Sequence, residues 1–127
     1  MDNIADVTLT GVAASDNFGR RVDGAGDVNG DGYGDVIVGA YLNDAGGSSA
    51  GRAYIYLGGA AMDNTADVLL TGEAAGDYFG YCVAGAGDVN GDGYSDVVVG
   101  AIQNDAGGGN AGRAYVYFGG AIMNTFA

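Results

Sequence analysis

Apolar residues in this chain come in short runs, and glycine closes nearly every one. Val7-Thr-Leu-Thr10 is the first run, ended by Gly11. The second starts near Phe18-Gly19 and reaches about Gly24. The third is Val36-Ile-Val-Gly-Ala40, and the fourth is Ala53-Tyr-Ile-Tyr-Leu57, followed by a Gly-Gly pair. Runs of this length, rich in Val, Ile and Tyr and bounded by turn residues, predict β-strands. Glycines interrupt every apolar run, so no α-helix is expected. In the fourth run Arg52, Tyr54 and Tyr56 share one face, and Ala53, Ile55 and Leu57 share the other. Neither face is simply polar, which predicts a sheet packed on both sides with its tyrosine hydroxyls reaching a partner or solvent. The Gly/Ser/Asn-rich stretch Asn43–Gly51 between the third and fourth runs is expected at the surface.

The whole pattern is written twice. Residues 5–65 align without gaps onto residues 66–126, with about two-thirds identity. The second set of strands is therefore Val68–Thr71, Phe79-Gly80 to Gly85, Val97–Ala101 and Ala114–Phe118. Four short strands per unit, with units stacked face to face around an axis, describe a propeller blade.

Composition narrows the classes. The chain has 127 residues, enough for one ordinary domain. Its 27 glycines and lack of proline would suit a flexible chain, but 48% hydrophobic residues grouped into runs point to turns and bulges in an all-β protein. Net charge is −12, and the only cations are Arg20, Arg21, Arg52 and Arg113. Charge disfavours both a nucleic-acid partner and an anionic membrane surface. Cys82 is the sole cysteine, so no intrachain disulfide forms; it reads as a small apolar strand residue. No stretch is long and apolar enough for a transmembrane helix. The N-terminus lacks the basic and apolar regions of a signal peptide.

The candidate chemistry lies in Asp27-Val-Asn-Gly-Asp-Gly-Tyr-Gly-Asp35 and its copy Asp88-Val-Asn-Gly-Asp-Gly-Tyr-Ser-Asp96. Oxygen-bearing side chains fall at the first, third, fifth and ninth positions: Asp27, Asn29, Asp31 and Asp35, and Asp88, Asn90, Asp92 and Asp96. A glycine at the sixth position allows φ > 0 in a tight loop. The backbone carbonyl of Tyr33 or Tyr94 at the seventh would complete a hard oxygen shell suited to Ca²⁺. Three rivals are weighed against it. A solvated Asx-rich hairpin is one, and two copies in register argue against it. An EF-hand requires Glu at the twelfth position between helices, but Val38 and Val99 stand there, within the β-branched runs that follow each loop. Mg²⁺ prefers a rigid, water-rich octahedron. The expectation is one Ca²⁺ per repeat, two per chain, with stability dependent on metal because the apo loops repel one another. Asp16 and Asp77, and the pairs Asn43-Asp44 and Asn104-Asp105, read as turn residues.

With these features assembled, the chain resembles the FG-GAP repeat of integrin α-subunit propellers and related bacterial surface proteins. The matching residues are Phe18-Gly19 and Phe79-Gly80, Gly39-Ala40 and Gly100-Ala101, the acidic loops, and the Ala-Gly-Arg-Ala-Tyr-x-Tyr strands. The resemblance implies four-stranded blades, with Ca²⁺ in the loop joining the innermost strand to the next. Two departures stand out: Tyr41 and Ile102 replace the family's proline, and Asn29 and Asn90 make each site one charge weaker. In the family's blade order the Asp-Val-x-Leu-Thr segment is the outermost strand of the preceding blade. Residues 18–72 then form a complete first blade, and residues 73–127 a second blade without an outer strand. Residues 1–17 hold an outer strand to be donated to a neighbouring chain, plus a connection.

Surplus and deficit are complementary, so the expected partner is the chain itself. Head-to-tail homo-oligomerisation with strand exchange would close a propeller, with four chains (eight blades) preferred over three (six). The expected function is a non-catalytic, calcium-stabilised scaffold or binding module. Its protein or carbohydrate ligand is not legible. The alternatives are a fragment of a longer integrin-like adhesion or surface protein, or the propeller part of a polysaccharide lyase or phospholipase. Catalysis is not expected, because the chain has neither His nor Lys to serve as base or nucleophile. Family resemblance implies an extracellular or cell-surface setting, and the high repeat identity also suits a designed sequence. Arg20, Arg21 and Asp23, which replace Tyr81, Cys82 and Ala84, read as drift on an inner strand.

Overall fold

A computed structural model describes residues 2–121. Among them are seven strands and no helix: β1 (Arg21–Gly26), β2 (Asp35–Ala40), β3 (Arg52–Tyr56), β4 (Val68–Thr71), β5 (Phe79–Gly87), β6 (Asp96–Ala101) and β7 (Arg113–Tyr117). They form a four-stranded sheet in the order β1-β2-β3-β4 and a three-stranded sheet in the order β5-β6-β7. Every neighbouring pair is antiparallel. The registers repeat as the sequence does: Val38 faces Tyr54 in the first sheet, and Val99 faces Tyr115 in the second. The register shifts at Gly24/Gly26 and again at Gly85/Gly87. These irregularities lie just before the two acidic loops, where a bulge bends the strand and re-aims the chain.

Side-chain alternation gives the first sheet two apolar faces, as the sequence predicts. Ile37, Ala53, Ile55 and Leu70 share one core with Phe79, Val97, Val99 and Ala101 of the second sheet. Val38, Ala40, Tyr54 and Tyr56 pack on the opposite face with Leu9, Phe18 and Met62. The second sheet has one covered face. Val116 is 52% exposed, whereas its counterpart Ile55 is 0% exposed beneath the second sheet.

Backbone contact between the sheets accounts for the Phe-Gly and Gly-Ala motifs. A Cβ on Gly39 would collide with the carbonyl oxygen of Gly80, which sits at φ +88°. The N–H of Phe79 donates to the Ala50 carbonyl at 2.9 Å. Glycine is needed there because two backbones meet. Gly100, the counterpart of Gly39, has only ordinary contact with Cys82.

Several expectations are corrected. Val7–Thr10 does not form a strand. Its counterpart is β4, which occupies the edge of β3 through Ala53↔Leu70 and Ile55↔Val68. With that edge taken, Leu9 packs on the outer face of the first sheet instead. β1 starts at Arg21 and not at Phe18. β5 does start at Phe79, where the bond to Ala50 fixes its first residue. The loop Asn43–Gly51 is not wholly at the surface, since Asn43 is 4% exposed and Ala50 is fully buried. Asn43 Nδ2 donates to Asp16 Oδ2 at 2.7 Å, and Asn104 repeats this bond to Asp77 at 2.8 Å. The four residues thus latch each turn, consistent with their reading as turn residues. Cys82 lies in a strand but is exposed, next to the register shift that follows Phe79. Residues 122–126 of the second repeat lie outside the described residues.

Candidate metal centre

The loop between β1 and β2 winds around Asp27. Its Oδ1 accepts the N–H groups of Gly30 (2.8 Å) and Asp31 (3.1 Å), and its Oδ2 accepts that of Gly32 (2.8 Å). Gly30 and Gly32 have φ of +75° and +88°, the left-handed values that let the chain coil so tightly. Asp31 Oδ1 accepts the Tyr33 N–H at 3.0 Å, and Asp31 Oδ2 accepts Asn29 Nδ2 at 3.3 Å. Asp35, 3% exposed, closes the loop. Its Oδ2 accepts the Val28 N–H and its Oδ1 the Gly58 N–H, both at 2.8 Å.

The second loop repeats each bond. Asp88 gathers Gly91, Asp92 and Gly93; Asp92 takes Tyr94 and Asn90 Nδ2; Asp96 takes Val89 and Gly119. The loops also touch, since the Ser95 N–H donates to the Asp27 carbonyl at 3.1 Å.

Two features bear on a cation. Asn29 Oδ1 is buried and has no hydrogen-bond partner among the described residues. One oxygen from each of Asp88, Asp92 and Asp96 lies within 4.8 Å of the other two. Electrostatics agree. The Gly32 N–H chiefly holds Asp27 below the ordinary carboxylate range, helped by Gly30 and Asp31; Asp88 is lowered in the same way, chiefly by Gly93. Burial pushes the Asp35 carboxyl up, against the N–H groups of Gly58 and Val28, and the charges of Asp31 and Asp27 push it further. The orphaned amide oxygen and crowded carboxylates fit a hard cation with oxygen ligands.

The ten residues expected as ligands lie in the two loops or, for Asp35 and Asp96, at the first position of the strand that follows, and the spacing alone does not show what supports them. Gly58 and Gly119, read only as strand-ending glycines, donate to the buried carboxylates of Asp35 and Asp96. Sequence reasoning also passed over Glu73, whose carboxylate meets Arg113 Nη1 at 3.1 Å and the Tyr115 hydroxyl. The signal was present: Glu73 aligns with Val12, one of the positions where the repeats differ.

Two antiparallel sheets, each with one acidic loop between its first two strands, define an all-β repeat protein. A family model described as the FG-GAP repeat matches residues 18–56 and 79–117, and the chain belongs to that family. It is 37% identical over 105 residues to integrin alpha-6 of Gallus gallus, covering 81% of this chain and 9% of that protein. It is 35% identical over 114 residues to integrin alpha-5 of Xenopus laevis, covering 86% and 10%. With integrin alpha-8 of Gallus gallus the identity is 34% over 126 residues, covering 92% and 12%. The chain thus spans about a tenth of the length of these curated relatives. No helix among the described residues is long and apolar enough to cross a membrane.

Proposed function

We propose that each acidic loop binds one Ca²⁺, two per chain, as a staple that fixes the hairpin beside it. The ligands are side-chain oxygens of Asp27, Asn29, Asp31 and Asp35 with the Tyr33 carbonyl. In the second repeat they are Asp88, Asn90, Asp92 and Asp96 with the Tyr94 carbonyl. The buried, partnerless Oδ1 of Asn29 carries this reading, because a hydrogen-bonded hairpin would leave no such acceptor. A cation also offsets the mutual repulsion within Asp27, Asp31 and Asp35. Every position has a ligand or loop-forming role, and none is reserved for a reacting water. The chain is on this reading a non-catalytic scaffold.

Similarity to integrin alpha chains supports placing these blades in a longer integrin-like adhesion or surface protein outside the cell, where Ca²⁺ is plentiful. A second reading is a ring of copies of this chain, four preferred over three, each lending residues 6–10 as an outer strand to β7 of the next. The exposed Val116 and Phe118 of the second sheet favour it. The integrin similarity weighs more for the first.

Thermal melting with Ca²⁺, with Mg²⁺ and with chelator tests the staple, and light scattering on the same samples tests the ring. At a hundredfold excess over Kd, each site adds about 2.7 kcal/mol. A melting temperature indifferent to chelator removes the calcium reading, and a compact monomer removes the ring.

A further inference from the structure

The second blade seats a carboxylate on its rim. Glu73 accepts from Arg113 Nη1 at 3.1 Å and from the Tyr115 hydroxyl. The first blade carries the same donors, Arg52 and Tyr54, at the same register of its third strand. Arg52 lies 5.9 Å from the Tyr54 ring centre, and Arg113 lies 6.0 Å from that of Tyr115. The residue aligned with Glu73, however, is Val12.

The consequence is visible in the hydrogen bonding. Tyr54 is 1% exposed, and its hydroxyl, shielded beside the Arg52 guanidinium, makes no hydrogen bond of ordinary geometry among the described residues. Arg52 turns its Nε to Thr71 Oγ1 at 3.2 Å and, among the described residues, has no carboxylate within ion-pair distance. A cavity of about 350 Å³ opens between Arg52, Tyr54 and Val12, with Thr10, Asn64 and Thr65 on its walls.

We propose that this cavity binds a small organic carboxylate, held by Arg52 and Tyr54 as Glu73 is held by Arg113 and Tyr115. A carboxylate is acceptor-only and takes both the phenolic O–H and the guanidinium N–H groups. A water molecule would satisfy the hydroxyl but leave the arginine charge unpaired. The volume falls at the small end of ligand pockets, suiting molecules between acetate and glutamate in size. The site lies at the Arg52 end of β3, away from the acidic loop that precedes β2, and does not depend on the calcium reading.

Thermal unfolding of the full chain at fixed free Ca²⁺ tests it, with sodium acetate or sodium glutamate compared against sodium chloride at equal ionic strength. Both carboxylates are expected to raise the melting temperature above chloride. Arg52→Gln and Tyr54→Phe are expected to weaken the response at least about tenfold, each losing one charge-assisted bond. Tyr54→Phe keeps its fold, since it removes only a hydroxyl without a hydrogen bond of ordinary geometry. Val12→Glu supplies the carboxylate from within: it is expected to raise the melting temperature without ligand and abolish the acetate response. Arg113→Gln leaves that response intact. The proposal is overturned if chloride matches acetate, or if Arg52→Gln responds like the parent chain. It is equally overturned if a glutamate-containing peptide stabilises where acetate and free glutamate do not.

Discussion

Asp96→Asn separates the structural duty of the ninth loop residue from its proposed metal duty. Asp96 is 0% exposed and accepts two backbone N–H groups, Val89 at 2.7 Å and Gly119 at 2.8 Å. An amide keeps one acceptor oxygen and turns its NH₂ toward the other N–H. One buried donor is then orphaned, at about 1–3 kcal/mol, and a charged acceptor becomes neutral, so the total comes to about 2–4 kcal/mol. For a chain of this size that lowers the melting temperature by roughly 10 °C. The loss is expected in chelator, before any metal is considered. Asp92→Asn is the contrast. Asp92 is exposed, and its partners are the Tyr94 N–H at 3.0 Å and Asn90 Nδ2 at 3.2 Å, both within the loop. Its loss in chelator is expected to stay below about 1 kcal/mol, because water replaces what the amide gives up. With Ca²⁺ present, Asp92→Asn forfeits most of the stabilisation supplied by its site. Calorimetric melts of both variants, with and without Ca²⁺, read the two effects apart. An Asp96→Asn protein that melts within about 2 °C of the parent in chelator would refute the assignment of a buried structural carboxylate.

Phe79 is 1% exposed under the first sheet, while Phe18 makes similar edge contacts to Tyr54 and Tyr56 but is only partly buried. Phe79→Ala is expected to cost about 3–5 kcal/mol in urea unfolding and Phe18→Ala about half of that; equal costs would mean that Phe18 is covered by a further blade. Burial pushes the Tyr117 phenol from its ordinary 10.0 up to about 12. A raised folded-state pKa contributes stability that is complete below pH 10 and lost as pH climbs through 12, so unfolding curves should weaken across that window and Tyr117→Phe should flatten the decline. Cys82 is exposed, so a thiol reagent is expected to label it fully in the folded protein at mildly alkaline pH, without a lag for unfolding; slow labelling would place it under a neighbour.

The repeat and its strands were legible because period-two alternation and glycine punctuation are local signals. The third and fourth strands of each unit appear within a residue of their expected bounds. The acidic loops were legible for the same reason: their hydrogen bonds from Gly32 to Asp27, and from Gly93 to Asp88, are set within a few residues of one another. What depended on distant contacts was not. Residues 7–10 carry the same strand pattern as β4, yet only β4 has the edge of β3 to pair with. Asn43 reads as a loop residue, but Asp16, far away in sequence, draws its amide inside. The supporting roles of Gly58 and Gly119 follow from a fold that returns them to the base of the loops. Glu73 and Val12 differ by one substitution whose meaning depends on where Arg52, Tyr54, Arg113 and Tyr115 stand.

The central claim is that each acidic loop holds one calcium ion. Isothermal titration of Ca²⁺ into the metal-free chain tests it most directly, beside Asp27→Ala and Asp88→Ala variants. Two sites per chain are expected, one lost in each variant, with Mg²⁺ binding far more weakly. Absence of binding, or two sites retained in either variant, would contradict it.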